Sequence, residues 1–129
     1  ILDLLQKKLL LSTYVAHGRG SGDNYAVAFS NRPGSYQSSL GFFRTGDTYM
    51  GKNGYSLFLD GLEKGINDKA RERAIVVHGA NYADPAVLKG QQRLGRSLGC
   101  PALPPDISKQ VIDTIKGGVL LYIYGLNKA

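Results

Sequence analysis

The chain has 129 residues, enough for one domain with its own core and too few for two. Hydrophobic residues make up 43% and charged residues 20%, which are globular proportions, and no apolar run reaches the ~18 residues of a membrane span. The formal net charge of +6 comes from scattered Lys and Arg, with no like-charge tract and no Trp; this argues against a nucleic-acid groove, which needs a basic stripe with stacking aromatics, and leaves mild attraction to an anionic polymer or acidic substrate.

The chain begins at Ile1 and reads as a processed or trimmed domain, with no signal peptide visible in it. The opening "ILDLLQKKLLLSTYV" is expected to form two strands joined near Gln6–Lys8, because "LLLSTYV" turns β-branched and aromatic toward its end. Further short apolar or aromatic segments follow: "NYAVAFS", "LGFFRTG", "YSLFLDG", "AIVVHGA" and "GVLLYIYG". Dispersed glycines, Asn and Asp punctuate them, which is the pattern of strands between turns. Two stretches read as helices. "PPDISKQVIDTIKGG" places Ile107, Val111, Ile112 and Ile115 on one face, with Asp106 as a cap and Gly117 as a stop; "DPAVLKGQQRLG" is the second. The expected architecture is a single mainly β domain over residues 1–129, a sandwich or barrel with short helices on one side.

Cys100, the only cysteine, cannot form an internal disulfide. It stands in "RSLGCPALPPD" between Gly99 and Pro101, a partly polar loop that differs from the apolar runs where inert cysteines pack. A nucleophilic thiol wants a histidine nearby in space, and an imidazolium beside it lowers its pKa from about 8.5. The two histidines, His17 in "STYVAHG" and His78 in "RAIVVHG", each close an apolar strand before a glycine. On residue pattern alone they are equal candidates. Two histidines and one cysteine with no HxxxH or CxxC spacing make no metal site, and no cofactor is expected.

The run from His78–Gly79 to Ser97-Leu98-Gly99-Cys100 resembles the active-site motif of the L,D-transpeptidases, bacterial cysteine enzymes that cross-link peptidoglycan. "FSNRPGSYQSSLGFF", "DGLEKGINDKARERAIVVHGA" and "GRSLGCPALPPDISKQVIDTIKGG" extend the resemblance, to the murein L,D-transpeptidase subgroup, over most of residues 9–124. The resemblance implies that Cys100 is the nucleophile and His78 the base and acid. It implies that the Gly79 carbonyl orients the imidazole, and that the N–H groups of Gly99 and Cys100 receive the oxyanion. Ser97 is expected to support the loop or touch substrate. Leu98 stands where more familiar members carry a second histidine, and Pro101-Ala102-Leu103 where they often carry Arg or Asn; Arg96 is the candidate substitute guanidinium for a substrate carboxylate, its alternative being an exposed surface residue. His17 takes a secondary place, either flanking the cleft or capping a strand end.

The activity implied is transpeptidation of stem peptides, by a monomer in the periplasm or outside the cell. The alternatives are an L,D-carboxypeptidase that passes the acyl group to water, and a catalytically silent wall-binding module. No nucleic acid and no membrane span in this segment are expected.

Overall fold

In a computed structural model that describes residues 1–126, β1 (Leu2–Asp3) and β2 (Lys8–Leu9) form a small antiparallel ribbon. The joint falls where the sequence places it, but the second strand is shorter than expected. Residues 10–15 run without ladder partners until Ala16 bridges Ala102. "NYAVAFS" forms no strand either: Val27 and Ala28 both donate their N–H to the one carbonyl of Ser21, at 2.9 and 3.2 Å.

The main sheet grows from a hairpin. β3 (Gly41–Gly51) and β4 (Gly54–Gly61) pair antiparallel and turn at Lys52–Asn53, with Gly54 at φ +81°, a conformation glycine adopts without strain. β5 (Val76–Gly79) pairs antiparallel with β4, and β6 (Ala102–Leu103) lies parallel to β5. Helix α1 (Pro105–Ile115) then carries the chain to the opposite edge, where β7 (Leu120–Ile123) pairs with β3. The strand order is β6-β5-β4-β3-β7. The mainly β expectation holds, with α1 the single α-helix among the described residues.

Helix α1 forms where its periodicity predicts. Pro105 occupies the first turn, where its missing N–H costs nothing; Asp106 sits in that turn without capping it, and Gly117 follows the end at φ +81°. The second expected helix is only a 3-10 turn, Pro85–Lys89. The Asp84 carboxylate caps it by accepting the Ala86 N–H at 2.9 Å, and Gly90 ends it before the apolar period can repeat. No helix among the described residues is long and apolar enough to cross a membrane.

Strand alternation divides the core. Phe43, Leu57, Leu59, Val77 and Leu103 pack under Val111, Ile112 and Ile115 of α1. On the other face Ser56, His78 and Ala102 lie side by side across three strands. Ala102 packs there with Ala16, Ala83 and Leu94. Two buried polar side chains fasten these layers. Asn67 donates to the Leu40 and Phe42 carbonyls, both at 2.9 Å, and accepts from Glu63 N–H at 3.0 Å, tying the β4–β5 connection to the start of β3. The Thr45 hydroxyl donates to the Ile115 carbonyl at 2.6 Å and accepts from Val119 N–H at 2.8 Å, closing the end of α1 onto β3.

Thr45→Val keeps the shape and removes the hydroxyl, leaving buried backbone groups unpaired. It should destabilise the fold by about 2 kcal/mol, read as a lower urea midpoint at unchanged slope. A midpoint equal to wild type would mean that the helix end is held by packing alone.

Candidate active site

The site is set by the parallel pairing of β6 with β5. His78 pairs with Ala102, so Cys100, two residues before Ala102, lies level with Val76 at the start of β5. The sulfur occupies an acceptor's place on the strand: the Val76 N–H points at Sγ at 3.4 Å, and the thiol faces the Ala74 carbonyl at 3.5 Å. Ala74 presents that carbonyl from φ +56°, at the end of the turn leading into β5.

His78 is buried two residues further along β5, an offset of about 6.6 Å at strand rise. Its Nδ1 lies 2.9 Å from the Gly79 carbonyl. A carbonyl only accepts, so Nδ1 carries the hydrogen and Nε2 carries the lone pair. Among the described residues no hydrogen bond joins either histidine to the sulfur.

His17 also comes to the Cys100 loop, by another route. Ala16 bridges Ala102, and the His17 carbonyl accepts the Ser97 N–H at 3.0 Å. The backbones then touch: a Cβ on Gly18 would lie 2.8 Å from the Gly99 Cα. The His17 ring, however, is 2.9 Å from the Gly22 carbonyl through Nε2. Burial pushes its pKa below the ordinary imidazole value, and the nearby Arg96 and Arg93 charges push the same way.

Ser97 organises the loop. Its hydroxyl donates to the Cys100 carbonyl at 2.6 Å and accepts the Gly99 N–H at 3.1 Å. The Gly99 amide is therefore engaged, whereas the Cys100 N–H meets no acceptor among the described residues. Gly99 stands at φ +125°, where a side chain would also crowd Ile75 and the Gln37 carbonyl. Arg96 departs from the role of a waiting guanidinium: its fork is taken up by the backbone carbonyls of Asp23, Leu94 and Gly95, which pins one loop to another. It borders an open hollow of about 530 Å³, with Arg19, Asp23, Gln91 and Arg93 on its walls. A second hollow of about 340 Å³ opens beside Gly79, between Lys52, Asn81 and Ser108.

Burial holds the Cys100 thiol above its ordinary range; the Val76 N–H, Arg73 and then Lys52 oppose that rise. Desolvation of the thiolate outweighs the donors around it. Arg73, whose charge acts on this thiol, is not singled out by the sequence, whereas Tyr82, on which the thiol's charge acts in turn, is one of three tyrosines, with Tyr36 and Tyr49, that the sequence offers as cleft-lining residues. Arg73 lies in "KARER", a run that reads as solvated charge, and nothing in it signals which residues it meets. Among the described residues no group of three or more His, Cys, Asp or Glu is placed to hold a metal ion.

The family model for the L,D-transpeptidase catalytic domain matches residues 1–124. No curated protein matches the chain.

The thiol of the folded chain should be alkylated by iodoacetamide with a pH inflection above the ~8.5 of a free thiol. The reaction at pH 7.5 should be slower than in the urea-unfolded chain. A native inflection at or below the unfolded one would show that donors at the sulfur outweigh its burial.

Proposed function

The chain belongs to the L,D-transpeptidase catalytic domain family, and on that premise we propose that residues 1–129 act as one catalytic domain that cross-links peptidoglycan stem peptides through a Cys100 thioester. The observation that carries the reading is the locked tautomer of His78. With Nδ1–H on the Gly79 carbonyl, the basic Nε2 belongs to the strand whose Val76 amide holds the sulfur. His17 sits instead on a loop whose ring is tied to Gly22.

The chemistry is a two-step acyl transfer. Cys100 Sγ attacks the carbonyl between the third residue of a donor stem and its terminal D-Ala, and the thiol proton passes to His78 Nε2. The Gly79 carbonyl steadies the imidazolium, in the manner of the carboxylate of a serine triad. The free Cys100 N–H is the donor best placed for the oxyanion, a contact worth about 3 kcal/mol when preorganised. Collapse breaks the C–N bond, and His78 returns the proton to the departing D-Ala amine. The amine of a second stem then attacks the thioester and restores the thiol. Water in its place yields a shortened stem, which is the carboxypeptidase outcome. Such a reaction belongs in the cell envelope, where the polymer lies, and the net charge of +6 favours approach to an anionic wall.

Incubation with a stem tetrapeptide and mass spectrometry of protein and products tests this directly. The expected result is a thioester adduct on Cys100, loss of D-Ala and a cross-linked dimer. Cys100→Ala should abolish all three. His78→Ala should slow acylation at least a hundredfold, within the usual span for a general base, and His17→Ala about tenfold or less. Shortened monomers without dimer would make the protein a carboxypeptidase, and sacculus binding with no adduct would make it a silent wall-binding module.

A further inference from the structure

Arg73, in the turn before β5, brings a positive charge to the Cys100 loop with no carboxylate beside it among the described residues. Its guanidinium is partly buried, and both terminal nitrogens are taken up by neutral acceptors. Nη1 donates to the Ser30 carbonyl and Ser39 Oγ at 2.8 and 2.9 Å; Nη2 donates to Ser35 Oγ and the Gln37 carbonyl at 3.2 and 2.8 Å. No carboxylate pairs with it among the described residues. Arg71, two residues earlier, meets Asp60 at 2.6 Å on the surface.

A fork that only fastened a loop would gain from a carboxylate partner, because a desolvated charge without a counter-ion is costly. The charge instead lies against the nucleophile loop: a Cβ on Gly99 would stand 3.4 Å from Arg73 Nη2. The four acceptors fix its position, so it cannot swing away.

We propose that Arg73 is a positioning residue whose uncompensated charge, held beside the Cys100 loop by residues 30–39, makes the thiolate accessible during acyl transfer. This extends the functional reading above, because it names a charged side chain that, after the Val76 N–H, opposes the effect of burial on the sulfur. When the S–H bond breaks and the proton moves to His78, negative charge appears on Sγ. Arg73 is then the fixed positive charge that stabilises it, and it donates no proton and touches no substrate. The same charge opposes the rise of the thiol's pKa, and Cys100 is the one ionisable group that favours charged Arg73. The other groups around the sulfur are Lys52 from the β3–β4 turn, Tyr82 from the β5–β6 connection, His78 on β5 and His17 beside Gly18. Lys52 lies at the tip of a hairpin and is exposed to screening.

The test is the pH profile of Cys100 alkylation by iodoacetamide in the whole chain, which needs no peptide substrate. Arg73→Gln should move the inflection up by about one unit, an about tenfold slower reaction below it, since the thiolate is the reactive form. Arg73→Lys, which keeps the charge and loses the fork, should stay within about threefold of wild type. Ser35→Asp places a carboxylate on the fork while keeping the arginine. A purely structural clamp would be strengthened by it and leave the thiol unmoved, whereas neutralising the charge should raise the inflection as Arg73→Gln does. This third variant decides the matter if Arg73→Gln fails to fold. An unmoved inflection in Ser35→Asp, or Arg73→Gln no slower than Arg73→Lys, overturns the proposal. A thiol that follows Arg73 in a chain that never acylates stem peptides keeps this inference and refutes the functional reading instead.

Discussion

Two parallel strands cannot be joined by a tight turn, and the site rests on that constraint. Between β5 and β6 the chain must make a crossing, residues 80–101, before it can pair again. That crossing brings a glycine-flanked cysteine back level with the start of the strand that carries His78 near its end. Because side chains alternate, the register His78–Ala102 also decides faces. A slip of one residue would turn Ala102 out of its contacts with Ala16 and Leu94, and would carry Cys100 away from the Val76 amide. Packing and chemistry therefore select the same register.

The loop that carries Cys100 is held from three sides. Ser97 binds both the amide before Cys100 and the carbonyl after it. Residues 16–19 bracket it, through Ala16 on Ala102 and through His17 and Arg19 on Ser97. The 30–39 segment, wound on Arg73, backs it at Gly99. None of these contacts is a large hydrophobic one, and each is a hydrogen bond or a close backbone approach that a glycine permits. That explains the clustering of Gly18 and Gly99 here: a methyl group at Gly18 would meet the Tyr36 carbonyl at 2.5 Å.

The parts legible in the sequence were those governed by local pattern. β3, β4, β5 and β7 show apolar or aromatic runs between glycines, and α1 shows the 3.6-residue period. Residues 24–30 carry the same composition as a strand yet form no ladder among the described residues, and composition does not report partners. The helix expected at 84–95 fails because Gly90 interrupts it and Leu94 is drawn into the core beside Ala102. At the site, His78, Gly79, Ser97, Gly99 and Cys100 stand close in sequence and could be read together. Arg73 and Arg96 could not be told apart as charges, since Arg73 is held by carbonyls 36 and 43 residues away, and Arg96 by its own neighbours together with the Asp23 carbonyl 73 residues away.

A thiol held above its ordinary range by burial is a different starting point from a preformed thiolate–imidazolium pair. Nucleophilicity of a thiolate falls as its pKa falls, so a thiol with a raised pKa gives a more reactive anion, present less often. The arrangement is productive only if the proton leaves as the carbonyl is attacked, which needs a base with its lone pair already free. The Gly79 carbonyl supplies that condition by holding the other hydrogen of His78. It also needs positive charge fixed near the sulfur at that moment, in a place only partly open to screening by water. The fork of Arg73, filled by serine hydroxyls and backbone carbonyls and left without a carboxylate, meets that second need. In the proposed reaction, the groups that would stabilise a Cys100 anion, the Val76 N–H and the Arg73 fork, are in place before that anion forms.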